Sequence, residues 1–209
     1  MLAPLPRHRR GEAAALLARA FRDNPLNRAL VPGGAARRVA SNRAGMHATL
    51  ASALRHGTVL AASAPARNGP LLGVLVGSAP EAWPLPLPPW PERLRCLLVQ
   101  GPRVAARWRD AAESLQLEAP HPPGFVLATL GVAPAVQGRG VGSHLLEAWL
   151  AQVDAAGGGT YLETDEPRNL AFYTRAGFRV ARELRIFGVP VWTLERRARR
   201  GPESQEPRP

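Results

Sequence analysis

Cysteine and lysine are almost absent from this 209-residue sequence, in which Cys96 is the single cysteine and no lysine occurs. One cysteine excludes an intramolecular disulfide and a cysteine-based metal site, so nothing requires an oxidising compartment and we expect a cytoplasmic protein. Long apolar runs are missing too. Glu81 and several prolines interrupt the most apolar segment, 71–90, so we expect no membrane span.

Signals for metal binding and for secretion are also missing. The histidines are His8, His47, His56, His121 and His144. They share no metal-ligand spacing, and we expect no bound metal. The N-terminal apolar run is interrupted by Glu12 and Arg19, so we interpret it as part of the fold rather than as a signal peptide.

The charge balance is strongly basic, with 27 arginines against 16 acidic residues and a net charge of +11. A basic field attracts polyanions, which favours a nucleic-acid partner. However, the missing lysines, the single isoleucine (Ile186) and the abundant alanine indicate GC-rich codon usage. The arginines are spread from Arg7 to Arg208 and mixed with acids, so nucleic-acid binding is the weakest hypothesis.

The length predicts one domain, 1–197, with a disordered tail, 198–209. Hydrophobic periodicity predicts helices at 11–22, 35–56, 91–118 with a break at Gly101-Pro102, from Val141 to the glycines 157–159, and at 167–176. Period-two or continuous apolar runs predict strands at 58–63 and 71–77 as an antiparallel hairpin, at 125–132 buried on both faces, at 160–164, and in a closing hairpin around Gly188.

The segment 79–92 is a proline-rich loop, since proline lacks the N–H that a helix interior or a central strand needs. Trp83 and Trp90 within it have two interpretations. They line a substrate pocket, or they belong to a stiff connection and cover the core. His121, just before the central strand, either reaches an acceptor site or is solvated.

The stretch VQGRGVGSHLL, 136–146, lies between the predicted strand 125–132 and the predicted helix. Such a glycine-rich turn presents free N–H groups and the positive end of the helix dipole, which together bind phosphate oxygens. A P-loop is excluded because it needs lysine, and the dinucleotide fingerprint misses its third glycine by one position. A tight structural turn without a ligand is the alternative.

The pattern Gln137-x-x-Gly140-x-Gly142 resembles the coenzyme A pyrophosphate loop of the GNAT acyltransferases. LETDEPRNLAFYTRAGF, 162–178, and AFRDNP, 20–25, extend the resemblance, which is closest to the puromycin N-acetyltransferase-like subgroup and covers Phe21 to Arg196. It implies a GNAT fold of the α/β class, in which helices flank a mostly antiparallel sheet with splayed middle strands. The usual first strand then has to fit within the proline-interrupted MLAPLP.

The resemblance also implies an acetyl-CoA-dependent N-acetyltransferase, in which a primary amine of a small molecule directly attacks the acetyl thioester and accepts the acetyl group. It places cofactor contacts at Leu130, Gly131, Val132, Gln137, Gly138, Arg139, Gly140, Val141, Gly142, Ser143, Asn169 and Phe172. Tyr173 is implied as the general acid. Glu163 is implied as the general base or as a proton acceptor that acts through a water; alternatively, it holds the fold or binds the substrate amine, and bulk water takes the proton.

Several side chains keep a second interpretation. Ser143 contacts a phosphate or caps the helix, and Arg139 pairs with a phosphate or is solvated. Asp23 meets a cationic acceptor or belongs to a turn, and Cys96 is expected to be a buried small hydrophobe. A catalytically silent coenzyme A-binding domain is the main alternative function, and a monomer and a homodimer are both open.

Overall fold

The computed structural model describes residues 1–66, 68–117 and 124–198. Its strands are β1 (Leu2–Pro4), β2 (Thr58–Ser63), β3 (Leu71–Ser78), β4 (Phe125–Val132), β5 (Thr160–Thr164), β6 (Arg179–Ile186) and β7 (Val189–Arg196). Its helices are α1 (Arg10–Ala20), α2 (Pro25–Leu30), α3 (Ala35–His56), α4 (Trp90–Gln100), α5 (Pro102–Leu117), α6 (Val141–Ala155) and α7 (Pro167–Arg175). None of the helices in these ranges is both long and apolar enough to cross a bilayer.

The strands of the described chain form one seven-stranded sheet in the order β1-β2-β3-β4-β5-β7-β6. Neighbouring strands are antiparallel except for β4 and β5, which run parallel. Parallel neighbours need a long crossover, and α6 supplies it between these two strands. The predicted fold, a mostly antiparallel mixed sheet flanked by helices, is confirmed.

The first strand forms within MLAPLP despite its prolines. Leu2 lies opposite Ala62 and Pro4 opposite Leu60, and β1 is an edge strand of the sheet. Proline is tolerated in an edge strand because its missing N–H need not face a partner. The edge position therefore explains how a strand with this composition joins the sheet.

Each face of the sheet carries its own helices and its own apolar core. On the first face, α1 and α3 cover the sheet, and Leu17 is buried with Val74 of β3. On the second face, α6 and α7 cover the sheet, and Leu146 and Trp149 are buried with Leu162 of β5. The amphipathic pattern of these helices, with one apolar stripe each, matches this one-sided packing.

Gly77 of β3 allows α6 to lie close to the sheet. A Cβ at this position would lie 2.5 Å from the ring of Trp149, which is 1% exposed. Because protein interiors are close-packed, the ring cannot move away without cost. We therefore expect Gly77→Ala to lower the free energy of unfolding by about 1–3 kcal/mol, measured by urea denaturation. Gly11→Ala is the control, since nothing lies within 4 Å of a Cβ there. A loss of equal size in both variants would contradict this packing argument.

Most predicted elements are confirmed. The helix predicted at 35–56 is α3, and the strands predicted at 58–63 and 71–77 are β2 and β3, paired antiparallel as expected. The predicted break at Gly101-Pro102 separates α4 from α5. Local periodicity and glycine punctuation were sufficient for these elements.

Other predictions need correction. The helix α2 was not predicted, because its six residues are too few to display a helical period. The strand predicted at 125–132 is buried on both faces only in part. Trp90 does not cover the core, since it is 72% exposed. His121 and residues 199–209 of the predicted tail lie outside the described residues.

Candidate active site

A gap opens in the sheet between β4 and β5. The two strands pair over 125–127 and 160–162, and β4 continues to Val132 beyond this pairing. Glu163 is the first residue of β5 past the last pair. The middle strands are therefore splayed, and one edge of β4 faces the gap along its C-terminal half.

A β-bulge in β4 lies at the level of the gap. The register of β4 against β3 shifts there, which makes Ala128 an extra residue. The bulge breaks the alternation of side chains, because Leu127 and Leu130, three positions apart, both pack in the core of the second face. Bulges re-aim the local backbone, and this one lies where β4 begins to border the gap.

The glycine-rich loop adopts a backbone that favours glycine. Gly138 has a φ of 76° and Gly140 a φ of 81°, both in the left-handed region. His144 donates its backbone N–H to the carbonyl of Gly140 at 3.1 Å, so the N–H groups of 141–143 precede the first bond of α6. Gly140 occupies the N-cap position, and the interpretation of Ser143 as the cap is therefore wrong.

Two amide side chains brace the segments around this loop. Gln137 donates from Nε2 to the carbonyl of Val132 at 3.1 Å, which ties the loop to the end of β4. Asn169 donates from Nδ2 to Oγ1 of Thr164 at 3.2 Å, which ties the start of α7 to β5. Both amides therefore hold the geometry of the site in addition to facing it.

The loop, the gap and α7 enclose a cavity of about 550 Å³. The predicted site residues in its lining are Leu130, Gly131, Val132, Gln137, Gly138, Gly140, Val141, Gly142, Ser143, Asn169, Phe172 and Tyr173. Arg139 is exposed and does not belong to the lining. The fold thus brings together residues from three separate segments of the sequence.

Tyr173 is the buried phenol of this cavity, with 7% of its surface exposed. Its ring packs edge-on against Phe172 at 4.9 Å and Phe178 at 5.8 Å between ring centroids. Burial raises the pKa of Tyr173 well above its usual range. The phenol therefore stays protonated at neutral pH and is available as an O–H donor.

Glu163 faces the other side of the sheet. Leu162 packs in the core of the second face, and because side chains alternate along a strand, Glu163 is directed toward the first face. Burial raises the pKa of Glu163 to about 7. Glu163 does not line the 550 Å³ cavity. Tyr173 and Glu163 therefore flank the gap from opposite faces.

The lining also includes residues that sequence reasoning did not single out, namely Ala20, Phe21, Asn24, Glu166, Arg168 and Arg175. Arg168 and Arg175 are seven positions apart on α7, which is about two helical turns and places them on one side. That spacing was readable in the sequence as a cationic helix face. Phe21 and Asn24 reach the cavity only through the packing of α1 on the sheet.

Asp23 and Cys96, two other residues considered in the sequence, lie outside the cavity lining. Asp23 forms ion pairs with Arg22 and Arg38, and hydrogen bonds from these arginines lower the pKa of its carboxyl. It therefore belongs to an ion-pair cluster at the turn. Cys96 is half-buried in α4, less than expected, and burial raises the pKa of its thiol.

A second, larger cavity of about 920 Å³ lies among α6, α7 and the β6–β7 hairpin. It shares Ser143, Phe172 and Arg175 with the smaller one. Neither Tyr173 nor Glu163 lines it. The candidate chemistry therefore belongs to the smaller cavity at the gap.

Comparison with known proteins supports this reading of the chain. Residues 104–180 match the family described as the acetyltransferase (GNAT) domain. The N-alpha-acetyltransferase RimI of Mycobacterium tuberculosis is 42% identical over 78 residues, which are 34% of this chain and 48% of that protein. The chain therefore matches about half the length of this curated relative.

Solved structures show the same architecture at low sequence identity. A Corynebacterium glutamicum structure, described as histone acetyltransferase HPA2 and related acetyltransferase, has a TM-score of 0.71 at 22% identity and covers 97% of this chain and 98% of that one. The ribosomal-protein-S18-alanine N-acetyltransferase of Escherichia coli has a TM-score of 0.56 at 14% identity, with coverage of 99% and 98%. These likenesses establish the fold. Residues 104–180 are thus similar to the acetyltransferase (GNAT) domain, and the described residues adopt the fold of these solved acetyltransferase structures.

Proposed function

We propose that this protein is an acetyl-CoA-dependent N-acetyltransferase that acetylates a primary amine. The observation that carries the proposal is the arrangement at the gap. A cavity lined by the glycine-rich loop and by Tyr173 lies at the gap, and Glu163, outside its lining, points to the first face of the sheet just past the last β4–β5 pair. This arrangement gives an acyl donor and an amine separate approaches to one opening in the sheet.

The residues at the loop fit an anionic coenzyme. Gly138 and Gly140 of the glycine-rich loop have positive φ angles. Nothing lies within 4 Å of a Cβ at Gly138, so a ligand can approach the backbone closely there. The N–H groups that begin α6 suit pyrophosphate oxygens, and Arg175 adds positive charge beside them, while Arg168 forms an ion pair with Glu166. When bound there, acetyl-CoA supplies an activated acetyl thioester.

The chain's own groups account for the remaining needs of acetyl transfer. Backbone N–H groups of β4 near Leu130 and Val132, beside the bulge, are the proposed donors to the acetyl oxygen. The Glu163 carboxylate accepts a proton from the attacking amine. The Tyr173 O–H donates a hydrogen bond to the departing sulfur.

The pKa values of these two groups suit their proposed roles. With its pKa raised to about 7, Glu163 is part ionised at neutral pH and is a stronger base than an ordinary carboxylate. With its pKa raised, Tyr173 keeps its proton until negative charge develops on the sulfur. Because a phenol of this kind is a weaker acid than a thiol, Tyr173 stabilises the departing thiolate by a hydrogen bond, and the thiolate takes its proton from solvent.

The acceptor that we propose is a small-molecule amine, such as an aminonucleoside or an aminoacyl compound, following the subgroup resemblance of the sequence. The 78-residue similarity to an N-alpha-acetyltransferase favours a second candidate, the N-terminal amine of a protein. The two candidates differ in the size of the acceptor and share the same chemistry at the gap. A comparison of acceptors therefore separates them.

The test is thiol release from acetyl-CoA over a panel of amines that contains puromycin, aminoacyl esters, polyamines and short peptides. Amine-dependent release supports the proposed transferase, and the best acceptor names the class. Saturable acetyl-CoA binding without release on any amine would instead support a catalytically silent binding domain. Loss of activity with added DNA, relieved by salt, would revive the nucleic-acid hypothesis.

The coenzyme assignment makes a separate prediction at Gly140. Gly140 and Gly188 both have a φ of 81°, and no atom lies within 3.4 Å of a Cβ at either position. Alanine in this conformation costs about 1–2 kcal/mol, so both alanine variants should lose similar stability. Only Gly140→Ala should weaken acetyl-CoA binding, by about tenfold or more, because the strained loop moves its N–H groups.

Isothermal titration of acetyl-CoA and thermal unfolding of both variants check this prediction. Gly188 lies in the β6–β7 turn, remote from the lining of the 550 Å³ cavity, and serves as the matched control. Equal acetyl-CoA affinity in the two variants would remove the loop from the coenzyme site.

A further inference from the structure

The proline-rich segment 79–89 starts beside β5, because Ser78 at the end of β3 pairs with Val126 of β4 and Val126 pairs with Tyr161 of β5. Burial and the nearby Glu163 raise the pKa of the Tyr161 phenol to about 12, and the Trp83 indole, which acts on the same phenol, lowers it. Tyr161 and Glu163 are two positions apart on β5 and therefore point to the same face of the sheet. The segment thus lies beside the carboxylate that the proposed mechanism uses.

The segment is anchored independently of Trp83. Ser52 of α3 donates its hydroxyl to the carbonyl of Pro86, and Leu85 packs in the core of the first face, next to Gly57. These contacts hold the segment against α3. The attachment of the segment therefore does not depend on Trp83 alone.

The other flank of Glu163 is occupied by the turn between α1 and α2. Asp165 accepts a hydrogen bond from the backbone N–H of Leu26 at 2.7 Å and from Nδ2 of Asn24 at 3.3 Å. Its oxygens are therefore engaged with that turn. Glu163, between Tyr161 and Asp165 in sequence, has the Trp83 segment on one side and the α1–α2 turn on the other.

We infer that the acceptor amine reaches Glu163 between the 79–89 segment and the α1–α2 turn, and that Trp83, seated on Tyr161, selects the group next to that amine. This inference rests on the proposed function. A partly exposed indole beside a carboxylate suits a primary amine that carries a flat apolar group, since the ring buries that group while Glu163 holds the amine. Trp83 is a specificity-determining residue in this arrangement.

The test compares Trp83→Ala and Trp83→Phe with Trp90→Ala. Trp90 follows the same proline-rich segment and is 72% exposed, so it is a matched control for loss of an indole. The acceptors are phenylalanine methyl ester and glycine methyl ester, which differ by a benzyl group. KM for each ester and KM for acetyl-CoA are measured for every variant.

We expect Trp83→Ala to raise KM for the phenylalanine ester about tenfold or more, and KM for acetyl-CoA less than about twofold. KM for the glycine ester should change much less than KM for the phenylalanine ester. Trp83→Phe should restore most of the preference because the ring returns, and Trp90→Ala should behave as the wild type.

Two outcomes overturn the inference. An unchanged ratio between the two esters in Trp83→Ala, or a rise of equal size in the KM for acetyl-CoA, would make Trp83 a structural residue only. A wild-type enzyme that acetylates both esters equally well would remove the preference itself. If the wild type acetylates no amine, the proposed function itself is wrong. If the variants are active and their selectivity is unaltered, only the role of Trp83 is wrong.

Discussion

Tyr173→Phe is expected to lower kcat by about 10²-fold or more while the Kd for acetyl-CoA stays within about twofold. The substitution removes one hydroxyl and keeps the ring. Tyr173 is only 7% exposed, and its ring packs against Phe172 and Phe178. The lost O–H acts only when negative charge develops on the sulfur, so binding of the donor should be unaffected. Steady-state kinetics and titration calorimetry measure the two quantities.

The control for this prediction is the thermal stability of the variant. A phenylalanine in place of a buried tyrosine whose neighbours are aromatic should change the unfolding midpoint little. If kcat is unchanged, or if kcat and the affinity for acetyl-CoA fall by the same factor, Tyr173 does not stabilise the departing sulfur and only fills space in the cavity.

Glu163→Gln is expected to lower kcat/KM for the amine by about 10²-fold or more, because an amide does not accept the proton of the attacking amine. In the wild type, the pKa of about 7 for Glu163 predicts that kcat/KM rises with pH as the carboxyl ionises through that value. For Glu163→Gln, kcat/KM should not show this rise near pH 7. An acceptor amine with a pKa far above 7 separates its own titration from that of Glu163.

The stability of Glu163→Gln provides its control, and the sign follows from the raised pKa. Glu163 is neutral in both folded and unfolded states below about 4.5, and its contribution to stability is lost as pH rises through about 7, where the buried carboxyl ionises. The glutamine variant should therefore be at least as stable as the wild type at pH 8. If Glu163→Gln keeps its activity, or if its kcat/KM still rises near pH 7, Glu163 is not the base and water removes the proton.

Local patterns in the sequence were sufficient for most elements of the fold. The helix at 35–56 and the β2–β3 hairpin have an apolar stripe or an alternating run that ends at glycine or proline, and these signals act over a few residues. The helix α2 escaped because six residues starting at Pro25 are shorter than the period that reveals a helix. Trp90 was considered as a core residue because exposure depends on partners that lie elsewhere in the chain.

The candidate site was predictable in a similar way and with a similar limit. The spacing of Gly138 and Gly140 predicted a loop for an anion, and both glycines have the left-handed backbone that such a loop needs. Arg168 and Arg175 were overlooked, although their spacing of seven on a helix was visible in the sequence. Trp83 was left with two interpretations, since only the fold brings it to Tyr161.

The sequence by itself determined the order of most helices and strands and the position of the glycine-rich loop, because these depend on contacts between near neighbours in the chain. Tertiary structure alone decided that β4 and β5 part after Leu127 and Leu162, with a bulge at Ala128. It also decided that Tyr173 and Glu163 flank that gap from opposite faces. Strand register and burial depend on segments far apart in sequence, and burial is what raises the pKa values of both residues.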